Sequence, residues 1–185
     1  MTETRERLRQ LLRQLSYERR TVTLASGRVS DFYVDGKQTT LHPEGAKLAG
    51  NVFLDTIEAA GAGVEAVGGP TLGADPIVTA IAIASFDRGR PIPAFIIRKA
   101  PKGHGTGQWI EGMKNLRPGM KVAIVEDTMT TGGSALSAAE KAREAGLEVA
   151  LVVCLCDRLE GAREAVEAAG YRFAAVFTRP DLERP

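Results

Sequence analysis

The chain has 185 residues, 44% of them hydrophobic and 25% charged, with a formal net charge of +1. That is enough chain for one compact domain with a real core, and the charge balance argues against a nucleic-acid or membrane-surface binder. The start, Met1-Thr2-Glu3-Thr4-Arg5, lacks the apolar stretch of a signal peptide, and the longest apolar run, 149–156, is too short to span a bilayer, so a cytoplasmic location is expected. Cys154 and Cys156 lie in that run, two apart on one face of a predicted strand, and read as buried thiols.

In chain order, Leu8, Leu11, Leu12 and Leu15 recur at helical spacing and predict an amphipathic helix over 3–16. Two short extended pieces follow, at 21–24 and 32–35, separated by the turn signal Ser26-Gly27. Pro43 and Glu44 open a second helix reaching about residue 60. Beyond Gly61, strands are predicted at 64–67, 94–97, 121–125, 149–155 and 171–177, and helices at 74–86, 134–145 and 162–169. Residues 99–112, rich in glycine and lysine, read as a long loop. Alternation of this kind implies an α/β fold, a mainly parallel sheet flanked by helices on both faces. The expectation is a single domain over 1–185: a helix and small N-terminal appendage over about 1–40 at one sheet edge, an α/β core over about 61–178, and a frayed tail at 179–185.

One segment carries chemistry. The predicted strand Val122-Ala123-Ile124-Val125 runs into Glu126-Asp127-Thr128-Met129-Thr130-Thr131-Gly132-Gly133-Ser134, and a helix follows. Ligands of open α/β sheets bind outside the carboxyl ends of strands. A glycine-rich turn feeding a helix N-terminus offers backbone N–H groups to an anion, so Thr130 to Ser134 reads as a phosphate site. Carboxylates repel phosphate but accept well from a sugar diol, so Glu126 and Asp127 suit a ribose. Adjacent residues on an extended chain point apart, so each acid is expected to find its own partner. Neither a Walker loop nor a Gly-x-Gly-x-x-Gly fingerprint is present. The plain alternative is a strand–turn–helix with solvated acids.

Glu126 through Ser134 resembles the motif that binds phosphoribosyl pyrophosphate (PRPP) in type I phosphoribosyltransferases. There the two acids hold the ribose hydroxyls and the following loop wraps the 5′-phosphate. A second segment, Arg98-Lys99-Ala100-Pro101-Lys102-Gly103-His104-Gly105, closed by Ile110-Glu111-Gly112, is basic and glycine-rich. Such a loop suits a polyanion that must be covered and released, although a charged run is often only a solvated loop. It resembles the catalytic loop of orotate phosphoribosyltransferases. That resemblance implies a homodimer with shared active sites, in which Arg98, Lys102 and His104 serve one site and Lys99 reaches the site formed with the partner. Lys99, Lys102 and His104 become the candidate catalytic residues, acting on the pyrophosphate, and Arg98 joins them in binding PRPP. Trp109 reads as a packing anchor for the loop.

Further matches support the same family. Arg158, in Cys156-Asp157-Arg158, stands at another strand end, where a guanidinium could pair with the carboxylate or ring oxygens of orotate. Its plain alternative is an ion pair with Asp157 or Glu160. By resemblance Arg158 and Thr130 bind orotate, and the stretch around Asp31-Phe32-Tyr33-Val34-Asp35 is a hood whose backbone at Tyr33 and Val34 meets the base. Some members carry lysine where this chain has Ala25, with Lys37 a candidate replacement. Some carry tyrosine and lysine where it has Leu72 and Gly73. The family implies transfer of phosphoribose from PRPP to orotate in pyrimidine (UMP) biosynthesis, giving orotidine 5′-phosphate and pyrophosphate. It also implies Mg²⁺ held mainly by PRPP and water rather than by a protein site. A purine phosphoribosyltransferase would share the Glu126–Ser134 motif but has no need of the basic loop or Arg158. A transcriptional or RNA-binding regulator on the same fold would need an extended basic surface.

Overall fold

The structure is a computed structural model that describes residues 2–19, 22–23, 29–30, 32–101 and 108–184. Helix α1, Glu3–Leu15, starts where the Thr2 side chain accepts from the Arg5 amide, and it buries Leu8, Leu11 and Leu12. Four two-residue strands follow: β1 Tyr17–Glu18, β2 Val22–Thr23, β3 Val29–Ser30 and β4 Tyr33–Val34. They pair antiparallel, β1 with β4 and β2 with β3, apart from the main sheet. A single turn, α2 Lys37–Thr40, leads to α3, Pro43–Ala59, whose proline sits in the first turn where its missing N–H costs nothing.

The core is β5 Ala66–Pro70, α4 Asp75–Asp87, β6 Ala94–Ile97, β7 Ile110–Glu111, β8 Lys121–Met129, α5 Gly133–Glu144, β9 Glu148–Asp157, α6 Ala162–Ala168, β10 Phe173–Thr178 and α7 Arg179–Glu183. Six strands form one sheet in the order β10-β9-β8-β5-β6-β7, parallel except for the β6–β7 pair. The period of two along β8 splits its side chains. Ala123 and Val125 pack with α1, α3 and α4, while Val122 and Ile124 pack with α5 and α6. The buried face of α5 is all alanine, at 135, 138, 139 and 142, which lets its backbone lie close to the sheet. Cys154 and Cys156 are buried free thiols, and burial pushes Cys156 up to about 12.

Besides the short β1, β3 and α2, which the sequence does not predict, three parts of the core depart from the sequence reading. Strand β8 runs on to Met129 instead of ending at residue 125, because β9 stays beside it to Asp157. The loop at 99–112 ends in a strand: β7 pairs with β6, and the Arg98 amide donates to the Trp109 carbonyl at 2.9 Å. The tail is helix α7, not a frayed end. The Asp181 carboxylate accepts from the Thr178 amide and hydroxyl, both at 2.8 Å, and Leu182 is fully buried. Helix α1 runs beside that tail. Arg5 donates to the Val176 carbonyl of edge strand β10, and Arg9 to the carbonyls of Asp181 and Arg184.

Candidate active site

Strand β8 keeps β5 as a neighbour only as far as Ile124, while β9 accompanies it to Met129. Its last residues therefore face a crevice on the β5 side, and Glu126 and Asp127 sit there. The turn after β5 crosses their carboxylates. A Cβ built on Gly73 would stand 2.4 Å from Asp127 Oδ1 and 2.9 Å from Glu126 Oε1, so this passage has no room for a side chain. Both acids thus converge on one place, against the expectation that they point apart. Glu126 curls back to accept from the Asp127 amide at 3.3 Å, and Asp127 accepts from the Thr128 amide at 2.8 Å.

A recess of about 290 Å³ holds these carboxylates together with Lys37, Gly73, Lys99 and Ser134. Each acid is only 8% exposed. Burial, reinforced by the charge of Asp127, pushes the Glu126 carboxyl up to about 8, so it keeps its proton at neutral pH. One acid of the pair then donates and the other accepts, a match for adjacent hydroxyls. Lys37 reaches in from the hood, 2.6 Å from Asp35 Oδ1 and 3.4 Å from Asp127 Oδ2. Burial works to lower its ammonium, but the bond to Asp35 and the charges of Asp127 and Asp35 outweigh this and hold it above its ordinary value.

The phosphate turn lies where the sequence puts it. Met129 ends β8, Thr130 and Thr131 form the turn, and Gly132 at φ +80 caps α5 without a side-chain bond. The first-turn N–H groups of α5, on Gly133 and Ser134, are left for an anion. A neighbouring recess of about 390 Å³ is lined by Arg98, Lys99, Ser134, Ser137 and Lys141. Phosphate-binding and pyrophosphate-binding candidates thus share one wall.

The residues assigned to orotate also come together. The Arg158 amide donates to the Met129 carbonyl at 3.0 Å, placing Arg158 beside Thr130. Its guanidinium is buried, donates to the Phe32 carbonyl at 3.0 Å, pairs with Glu160 at 3.0 Å and lies over the Phe32 ring. Phe32 precedes Tyr33 and Val34, so the hood is tied to the end of β9 through Arg158. The ion pair with Glu160 therefore forms, and it orients the side chain at the site.

Arg98 stands at the base of the basic loop, held to Glu111 at 2.8 Å. Trp109 packs against the α5-side core, with the Lys141 ammonium 3.7 Å from its ring centroid. Lys102 and His104, like Ala25, lie outside the described residues. Lys37, named from the sequence as a candidate replacement at Ala25, does line the recess, and Glu111, which closes the basic-loop motif, holds Arg98. A larger groove of about 730 Å³ lies at the opposite end of the strands, by Val64, Pro93 and Met120, away from every motif residue. Position at the strands' carboxyl ends, not volume, marks the site.

A phosphoribosyl transferase domain model matches residues 35–170. The orotate phosphoribosyltransferase of Sorangium cellulosum is 50% identical over 96% of this chain and 92% of its own length. Orotate phosphoribosyltransferase from Mycobacterium tuberculosis H37Rv in complex with Fe(III) dicitrate superposes with a TM-score of 0.84 at 44% identity, covering 98% of this chain and 99% of that one. The chain belongs to the orotate phosphoribosyltransferase family. The same mycobacterial enzyme in complex with PRPP superposes with a TM-score of 0.80 at 41% identity over 98% of this chain and 99% of that one. The family's shared fold accounts for the mainly parallel sheet and its helical flanks. As an orotate phosphoribosyltransferase the chain is a transferase. Among the described residues, no helix is long and apolar enough to cross a membrane.

Proposed function

We propose that the chain transfers the 5-phosphoribosyl group of PRPP to N1 of orotate, releasing pyrophosphate and forming orotidine 5′-phosphate. The supporting observation is the convergence at one sheet end of an acid pair, an uncapped helix N-terminus and a buried arginine under the hood. Asp127 and protonated Glu126 hold the ribose hydroxyls. Thr130, Thr131, Gly132, Gly133 and Ser134 hold the 5′-phosphate. Arg158 and Thr130, with the backbone of Tyr33 and Val34, hold orotate against the anomeric carbon.

Orotate loses its N1 proton before attack, so no strong base is needed at this site. Positioning and charge stabilisation carry the reaction. Arg98, Lys99, Lys102 and His104 offset the charge that builds on pyrophosphate as the glycosidic C–O bond breaks. Loop closure on the β6–β7 stem excludes water from the oxocarbenium-like centre. Among the described residues, no group of three or more His, Cys, Asp or Glu side chains could hold a metal ion. Mg²⁺ would be carried mainly on PRPP oxygens and water, where it would neutralise pyrophosphate charge. The chain works as a homodimer, with Lys99 serving the partner's site.

The test mixes the protein with PRPP, Mg²⁺ and orotate and follows the loss of orotate absorbance. Turnover with a purine base but none with orotate would overturn the assignment. In the same assay Arg158→Ala should raise the orotate KM by roughly tenfold or more while moving the PRPP KM far less, as loss of a charge-assisted bond requires. Equal weakening of both substrates would refute its role.

A further inference from the structure

Lys37, the candidate replacement for the lysine that some members carry at Ala25, lines the PRPP recess from the hood. Its ammonium bridges Asp35, on its own segment, and Asp127, on β8. The hood backbone is pressed against the same acid: a Cβ built on Gly36 would stand 3.1 Å from Asp127 Cβ. On the other side, Gly73 passes so close to Asp127 Oδ1 that the β5 turn has no space for a side chain there. A cation for Asp127 must come from another segment, and the hood supplies it. Asp127 is nearly buried, so a cation at bonding distance also fixes where its carboxylate points.

We propose that Lys37 is a positioning residue for PRPP, acting through Asp127: it holds that carboxylate aimed at the ribose hydroxyls. The role rests on the phosphoribosyl-transfer reading, but it concerns ribose recognition alone. Among the described residues, the groups facing Asp127 are Glu126 on its own strand, Lys37 with Asp35 behind it from the hood, the uncharged turn at Gly73, and Lys99 at the recess wall. Lys37 is in ion-pair contact with Asp127. Its side chain is 39% exposed, so replacing it should leave the fold intact.

The experiment titrates the full chain with two probes by calorimetry, ribose 5-phosphate and inorganic phosphate, without Mg²⁺ or orotate. Lys37→Met should weaken ribose 5-phosphate by about tenfold, the scale of one charge-assisted contact, and leave inorganic phosphate unchanged. Lys37→Arg should restore ribose 5-phosphate binding, because a cation again reaches Asp127 from the hood. Unchanged ribose 5-phosphate binding in Lys37→Met, or an equal loss of inorganic phosphate, would overturn the proposal, the latter by making Lys37 a phosphate ligand. Failure of Lys37→Arg to restore binding would also overturn it. A melting curve for each variant separates misfolding from lost affinity; should Lys37→Met not fold, Lys37→Gln replaces it under the same criteria. Because neither probe requires turnover, a failed orotate assay would sink the reaction assignment without touching this result.

Discussion

The acid pair shows how much one residue's surroundings decide. Glu126 and Asp127 are adjacent in sequence and equally buried, yet burial and its neighbour's charge raise the Glu126 carboxyl to about 8, while Lys37 stands beside Asp127. Between its ordinary value of 4.5 and about 8, the folded chain holds a proton on Glu126 that the unfolded chain releases. The unfolded state then binds fewer protons, so this contribution to stability is complete below that window and is lost as pH rises across it. Glu126→Gln imitates the protonated acid. It should flatten the fall in Tm over that range and melt several degrees above the parent at pH 9, by differential scanning calorimetry. At neutral pH it should keep PRPP affinity within about threefold, because a neutral donor remains. Asp127→Asn should lose roughly tenfold or more, because the charged acceptor is gone. Equal losses in the two variants would show that the acids are not divided into donor and acceptor.

At the scale of elements, α7 is held by an acid inside its first turn. Asp181→Ala removes both bonds to Thr178 and should cost about 1 kcal/mol, a fall of about 2–4 °C in Tm by thermal melting, with substrate KM values unmoved. The helix was illegible because Arg179-Pro180-Asp181-Leu182-Glu183 carries one large apolar side chain, too few for periodicity to register. Its stability comes from the cap and from burial of Leu182 against the rest of the fold. Strands β5, β6, β8, β9 and β10 and the helices between them could be read because buried parallel strands appear as apolar runs, as in Val122 to Val125. The reach of β8 through Glu126 to Met129 could not, because its polar residues are kept in the strand by pairing with β9. The turn and helix at Thr130 to Ser134 were legible from chemistry that only a few residue types allow. The convergence of Glu126 and Asp127 was not, since it depends on where β5 stops and how closely Gly73 passes.

At the scale of the whole molecule, helix α4 shows an apolar face to solvent among the described residues. Helix α4 is apolar nearly all round: it buries Ile77, Val78, Ile81 and Ala84 against the sheet and still shows Ile83 at 60% and Phe86 at 73% exposure. Helices of that composition are normally covered on both sides. Leu72, 66% exposed on the turn into α4, carries the apolar surface to the active-site mouth, where it shares a groove with Arg98 and Lys99. We propose that a second copy of the chain covers this face. Because Leu72 and Lys99 line one groove, a two-fold contact over Leu72 would bring Lys99 to the interface, as a shared active site needs. Large aromatic side chains at the centre of such a contact carry much of its energy. Phe86→Glu should therefore raise the dimer dissociation constant by about a hundredfold or more, read by sedimentation equilibrium. Turnover should fall in step with the dimer fraction and recover as protein concentration rises, while the melting curve of the separated subunits stays cooperative. A Phe86→Glu protein that remains dimeric would remove α4 from the interface, and a fully active monomer would remove Lys99 from the partner's site.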